Sequence, residues 1–322
     1  MPELNNTFCW SFSQAKEFAE CKRRYYLNRH GSWKGWDAMA PADARAAYRL
    51  KQMRNKWALI GEAVDKAILD VLSRMVVNAP ISEAQALERA ARELRTAWKQ
   101  HQTGKWREDP KHHVCIRELY YNEITAEPGI DRDMWVERVK GRTDTCVKNF
   151  FTHVLPQLRG LAAAQVLPVA RVQQGDPEHF HLARVKIYAI PDYAYRKDNC
   201  IVIHDWKTGM RRDEHERQLG IYGLWAHTKH GVLPPAIQLY IEYLESGETQ
   251  PVGYDVGKAS TMCDFIMESV NQMRKYLVDG DIDKNEPLPI EAFPKTDDLA
   301  RCRNCNYREA CNRKFVGLVD NE

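Results

Sequence analysis

The stretch IPDYAYRKDNCIVIHDWKTG, residues 190–209, decides how this chain is read. It divides into an apolar strand, the polar turn RKDN and a second apolar strand. The second strand runs out on Asp205, Trp206 and Lys207, and Asp192 heads the first. Pairing about the turn would set the two aspartates within a few ångströms of each other. Carboxylates that close repel and stay ionised only with a cation between them. Oxygen ligands suit Mg²⁺ or Mn²⁺, and such an ion can polarise a phosphoryl oxygen and acidify a water. Side chains alternate along a strand, so Lys207 shares a face with Asp205, where its ammonium can steer a water or neutralise developing charge. Trp206 is expected to face the core and leave its carbonyl for the ion. The plainer alternative is a surface hairpin closed by a salt bridge.

Just beyond, RQLGIYGLW puts Gln218 and Tyr222 four residues apart, on one face of a helix that follows the strand. That helix, DEHERQLGIYGLWAHTKHG, is expected to end at Gly231 and to pack back over the edge holding Asp205 and Lys207. Upstream, QVLPVARV and HFHLARVKIYAIPDYAY read as strands, and downstream AIQLYIEYLES and TQPVGYDV do too. A last long helix, KASTMCDFIMESVNQMRKYLVDG, places Met262, Ile266, Val270, Met273 and Leu277 on one face.

The region before residue 163 is mainly helical. Ser11 and Gln14 form a capping box for a helix through QAKEFAECKRRYYLN. In WALIGEAVDKAILDVLSRM, apolar residues from Ile60 to Met75 recur at helical spacing. GSWKGWDAMAPADA, DPKHH and AEPGIDRD read as loops. The order is helices, three strands, a helix, two strands, a helix and a cysteine-rich tail. Strands joined by hairpins within such an order imply an α/β fold with a mixed sheet.

The 322 residues are 44% hydrophobic and 28% charged, enough for a sizeable core. The net charge of +3 neither demands nor excludes nucleic acid, since a basic groove can sit inside a near-neutral total. No secretory pattern opens the sequence, and no apolar run approaches the roughly 20 residues of a membrane span. A cytoplasmic protein without membrane contact is expected. Of nine cysteines, Cys9, Cys115, Cys146, Cys200 and Cys263 are scattered singly and read as small buried apolar residues. Cys302, Cys305 and Cys311 have the spacing of metal ligands and need a fourth, for which Cys21 is the candidate. On composition alone Zn²⁺ is as good a guess as iron–sulfur.

Asp192, the D-W-K run at 205–207 and the Q-x3-Y pair Gln218 and Tyr222 together resemble the PD-(D/E)xK nuclease superfamily, and within it the RecB-like branch. The resemblance implies a restriction-endonuclease-like mixed sheet flanked by helices, and metal-dependent phosphodiester hydrolysis. It implies Asp192, Asp205 and the Trp206 carbonyl as ligands of Mg²⁺ or Mn²⁺, with Lys207, Gln218 and Tyr222 in the catalytic set. The family usually carries a metal-binding histidine four residues after a glycine on an upstream helix. In GEAVD, residues 61–65, this chain has Asp65 there. Asp65 can bind Mg²⁺ through oxygen; Glu62 is an alternative, and a solvated helix residue is the plain reading.

Some members of this branch, CRISPR-associated RecB-like exonucleases among them, hold a [4Fe–4S] cluster by one cysteine before the nuclease motifs and three after. SFSQAKEFAECKRRYYL and CRNCNYREAC are similar to their two patterns, with Lys22 where a proline is usual. The resemblance thus implies Cys21, Cys302, Cys305 and Cys311 as cluster ligands. It leaves residues 76–160 unexplained, and these are expected to be a helical insertion that could serve protein partners. The expected organisation is one elaborated nuclease domain, with its core at 163–280 and an iron–sulfur subdomain joining 1–30 to 281–322. Lys22, Arg23, Arg24, Tyr25, Tyr26, Arg301 and Arg303 then mix charge with aromatic rings, as a single-strand path would, or as a solvated basic helix with core tyrosines would. The expected function is a DNA nuclease, an exonuclease on single strands or ends, in repair, recombination or defence. The alternatives are an inactive nucleic-acid-binding subunit and a zinc-stapled RNA-binding protein.

Overall fold

A computed structural model describes residues 5–124, 130–171 and 175–311. In chain order it has β1 (Cys9–Ser11), α1 (Phe12–Glu20), α2 (Lys22–Tyr26), α3 (Ala42–Gln52), α4 (Lys56–Met75), α5 (Glu83–Thr103), α6 (Arg117–Tyr120), α7 (Arg132–Asn149) and α8 (Leu155–Leu158). Then come β2 (His179–Leu182), β3 (Val185–Tyr188), β4 (Tyr193–Lys197), β5 (Cys200–Lys207), α9 (Asp213–His230), β6 (Ile237–Tyr243), β7 (Glu248–Val252), α10 (Val256–Arg274) and α11 (Leu299–Arg303). Two compact units result, one from residues 56–96 and 132–266, the other from 1–55, 97–131 and 267–322. The 76–160 region, expected as one insertion, is thereby shared between them. Of the expected loop 126–133, residues 126–129 lie outside the described residues.

The sheet-bearing unit is built on four strands in the order β4-β5-β6-β7. The β4–β5 and β6–β7 pairs are antiparallel, and β5 and β6 run parallel with α9 as their crossover. This is the mixed sheet that the element order implied. The β4–β5 turn is tighter than RKDN: Arg196 and Lys197 stay in the strand, and only Asp198 and Asn199 turn, at φ 49° and 63°. Asp and Asn tolerate this left-handed backbone better than most residues. Apolar residues fill β5 from Ile201 to Ile203, and Trp206, one residue before its end, packs edge-on to Phe150 with ring centres 5.6 Å apart.

Helix α9 covers the sheet face that carries Asp205 and Lys207. Its glycines set how near other side chains come: a Cβ at Gly220 would stand 2.8 Å from Met262 Sδ, and one at Gly223 would stand 2.5 Å from the Tyr254 ring. A side chain at Gly220 would press on the flexible end of Met262, and one at Gly223 on the Tyr254 ring, so both positions keep α9 close to these neighbours. Helix α4 buries Leu59, Ile60, Ala63, Val64, Ala67, Ile68, Val71 and Leu72 and packs against α7; this includes the expected Ile60, Val64, Ala67, Ile68 and Val71, while Met75, at the helix end, is only half-buried.

Two strand expectations need correction. The run HFHLARVKIYAIPDYAY is three strands, because β2 and β3 form their own hairpin about Ala183 and Arg184, at φ 46° and 69°. QVLPVARV is not a ladder strand over its described residues: it makes one bridge, Val166 to Tyr195, and Pro168 has no N–H to extend it.

In the other unit Ser11 caps α1 by accepting from Gln14 N at 3.3 Å, while the Gln14 side chain turns to Cys9 instead of closing the box. The helix expected to run through Cys21 breaks there: Cys21 is extended, at φ −162° and ψ 110°, and starts α2 afresh. Leu27, Leu50, Met53, Trp106, Cys115 and Tyr307 form a buried cluster in this unit. No helix of the described residues is long and apolar enough to cross a membrane.

Candidate active site

The β4–β5 register builds the site. Tyr193 pairs with His204, so Asp192, one residue before the strand, comes opposite Asp205. Asp192 Oδ2 accepts from the Trp206 backbone N–H at 2.7 Å, which fixes that carboxylate at the strand end. Asp205 is 2% exposed, and its Oδ2 stands 2.6 Å from Lys207 Nζ. Lys207 also donates to Gln218 Oε1 at 2.8 Å, and Gln218 Nε2 donates to the Tyr222 hydroxyl at 2.8 Å. The spacing of Gln218 and Tyr222 on α9 therefore forms a relay that ends on the ammonium.

Charge in this site is tightly balanced. Burial pushes the Asp192 carboxyl well above its ordinary range, and the neighbouring charges of Asp205 and Asp65 push it further, against Lys207 and the Trp206 N–H. Burial also raises Asp65, with Asp205 adding to the effect and Arg171 opposing it. For Lys207 burial alone would lower the pKa, but Asp205 and Asp192 outweigh it and hold the ammonium protonated above its usual value. Burial and the same two carboxylates keep the Tyr222 hydroxyl protonated. His215, beside the Tyr243 hydroxyl, is driven down to about 4 by burial and by Lys207, so it is neutral at physiological pH.

The structure also brings Asp65 here, from α4. It is only partly exposed, and its Oδ1 is buried with no hydrogen-bond partner among the described residues. A buried carboxylate oxygen without a donor, beside two further carboxylates, fits a hard divalent cation. Glu62 is exposed on the same helix. Among the described residues, however, no three His, Cys, Asp or Glu side chains converge as an ion's ligands. Asp205 is turned to Lys207, and Asp192 to Trp206 N and to Arg171.

Arg171 was not legible in the sequence. Its guanidinium donates to the Asp192 carbonyl at 2.6 Å and lies 3.8 Å from the Asp192 carboxylate. It sits in no motif and in a segment read as strand, so nothing in the residues marked it. His204, inside the HDWK run, faces the opposite side and pairs with buried Glu242 at 2.7 Å.

In the other unit Cys21, Cys302, Cys305 and Cys311 line one pocket with Arg24, Arg301, Arg308 and Lys295. Burial raises the Cys305 thiol to about 11, with Cys311 and Cys21 adding to it, and burial raises Cys311, with Cys21 and Cys302 adding. The four expected cluster ligands are thus neighbours, but they do not converge as a metal-binding group. The basic–aromatic path expected beside them is mostly ion pairs and core. Arg24 pairs with Glu17 and Glu20, and Arg301 with Glu20 and Asp298. Tyr25 is buried, and Tyr26 packs on Phe293.

No curated protein matches the sequence. The model of the PD-(D/E)XK nuclease superfamily matches residues 9–312, nearly the whole chain. Members are generally phosphodiester hydrolases that use divalent metals, and the mixed sheet flanked by helices agrees with their restriction-endonuclease-like fold. With Asp192, Asp205 and Lys207 held together at the end of one hairpin, this chain belongs to the PD-(D/E)XK nuclease superfamily.

Proposed function

We propose that the protein is a metal-dependent DNA nuclease of RecB-like type, cleaving single strands or DNA ends as an exonuclease in repair, recombination or defence. The observation that carries this reading is the Lys207 ammonium, held between Asp205 Oδ2 at 2.6 Å and Gln218 Oε1 at 2.8 Å. A structural salt bridge needs no such relay from a second element, whereas a group that must meet a phosphate does need fixing in place.

In this reading Asp192, Asp205, Asp65 and the Trp206 carbonyl would hold Mg²⁺ or Mn²⁺, which would supply charge to the phosphate and acidify a water. Asp205, which meets Lys207 at 2.6 Å, would be one of those ligands. Lys207, held by Gln218, faces the attacked phosphate and orients the water. Tyr222 keeps Gln218 in the rotamer that presents its carbonyl to Lys207. Arg171 holds the Asp192 backbone in position. The test is cleavage of end-labelled single- and double-stranded DNA with Mn²⁺, by protein purified without oxygen. Cleavage from one end, lost on chelation, is expected; intact DNA and RNA throughout would instead leave a binding subunit.

We further propose that Cys21, Cys302, Cys305 and Cys311 hold a [4Fe–4S] cluster. The four soft thiol donors suit it, and the cations lining their pocket suit the negative charge of thiolate ligands. Cys21, extended where its helix breaks, would tie the start of the chain to its cysteine tail. The cluster's role is structural, since these residues bear no part of the hairpin chemistry.

A further inference from the structure

We propose that Trp57 is a stacking platform for an unpaired nucleobase of the substrate strand. This rests on the nuclease reading and extends it to a subsite. Trp57 is the second residue of α4, and half of its surface is exposed, at 50%. Trp57, Gly61 and Asp65 follow at intervals of four residues on that helix, so they share a face, with Trp57 about 12 Å along the axis from Asp65. Contacts locate the Trp57 end of this face. A Cβ at Gly61 would stand 3.8 Å from Thr208 Oγ1, on the residue after Lys207. Arg142 joins the two sides. Its Nε donates to the Thr208 carbonyl at 2.9 Å, and its guanidinium lies 4.6 Å from the centre of the Trp57 ring. Glu245 pairs with the same guanidinium. The indole therefore leans on a cation fixed to the end of the catalytic strand.

Lys56 adds a second cation, with Nζ 5.0 Å from the same ring. Cations over an exposed ring contribute little, and by itself this is an ordinary surface cluster. Its place gives it a use. A base stacked on Trp57 would bring the adjoining phosphates past Lys56 and Arg142 and lead the strand along α4 toward Asp65 and Lys207. Aromatic stacking tolerates every base, so such a platform would hold a strand without reading its sequence.

The test moves a single abasic site along a labelled single-stranded oligonucleotide. Equilibrium affinity is measured without divalent metal, and KM and kcat with Mn²⁺, for the parent, Trp57→Phe and Trp57→Ala. In the parent, one abasic position should weaken binding about 5- to 100-fold and raise KM alike, with kcat little changed. Trp57→Ala should bind intact DNA that much more weakly and lose nothing more at that position, while Trp57→Phe keeps most of the effect. A flat scan in the parent, or Trp57→Ala still sensing the same position, overturns the platform. The binding scan decides this point, whereas absence of cleavage by a parent that binds bears on the nuclease reading alone.

Discussion

Lys207 Nζ stands 2.6 Å from Asp205 Oδ2, two residues back on the same strand. With a cation on that carboxylate, as proposed, Gln218 alone would fix the ammonium. Gln218→Ala should therefore lower the single-turnover rate about 10–100-fold, as loss of supporting hydrogen bonds does around metal sites. Tyr222→Phe should cost less, because it leaves the Lys207–Gln218 bond intact. DNA affinity should barely change in either, which a filter-binding titration would check. Equal rates in Gln218→Ala and the parent would remove the relay from the mechanism.

Asp65 offers a buried carboxylate oxygen with no donor among the described residues. Asp65→Ala should raise the Mn²⁺ concentration needed for half-maximal cleavage while the far-ultraviolet spectrum stays unchanged. Asp65→His should shift preference from Mg²⁺ toward Mn²⁺, since imidazole suits the softer ion. An unaltered metal titration in Asp65→Ala would return the residue to a purely structural place.

The raised Asp192 carboxyl makes stability depend on pH in a definite direction. Between the unfolded value, about 3.9, and the higher folded value, the folded chain binds more protons than the unfolded one. Stability from this group therefore falls as pH rises through that window, and the loss is complete above it. A divalent cation on the carboxylates would relieve the cost. Mn²⁺ should thus raise Tm more at about pH 8 than at about pH 5.5, and its affinity should weaken on acidification. A Tm increment that is the same at both values would contradict this linkage.

Protein prepared without oxygen should be brown and carry iron and acid-labile sulfide. Replacing any one of Cys21, Cys302, Cys305 or Cys311 with Ser should lower Tm before it lowers the specific rate of the folded fraction. Cys263→Ala should cost only a modest amount of packing. Stoichiometric zinc without iron in the same preparation would overturn the cluster.

The α4 stripe, the α9 helix with its Gly231 stop and the β4–β5 hairpin were legible because period and turn chemistry agree in each. The β2–β3 hairpin was not, because Ala183 and Arg184 take left-handed backbone without the Gly or Asn that would signal it. Nor does anything in ECKRRYY mark the break at Cys21, where neither Gly nor Pro stands. The positions of Asp192, Asp205, Lys207, Gln218 and Tyr222 followed from strand alternation and helical spacing. What spacing could not give was the relay from Tyr222 through Gln218 to the Lys207–Asp205 pair. It also could not give Arg171, whose place is set by tertiary packing alone.

The most direct test of the account is the single-turnover rate of Lys207→Ala on labelled single-stranded DNA with Mn²⁺, measured beside equilibrium binding. Removing Lys207 leaves buried Asp205 without its partner, and breaking a buried pair costs about 3–5 kcal/mol of stability. Lys207→Arg and a melting curve in Mn²⁺ therefore accompany it. Affinity should fall only slightly, since one charge among many on the strand is lost. The rate should fall about 10²–10³-fold, as it does when a positioned electrostatic group is deleted. A folded Lys207→Ala protein that cleaves as fast as the parent would contradict the account and move the chemistry away from the hairpin.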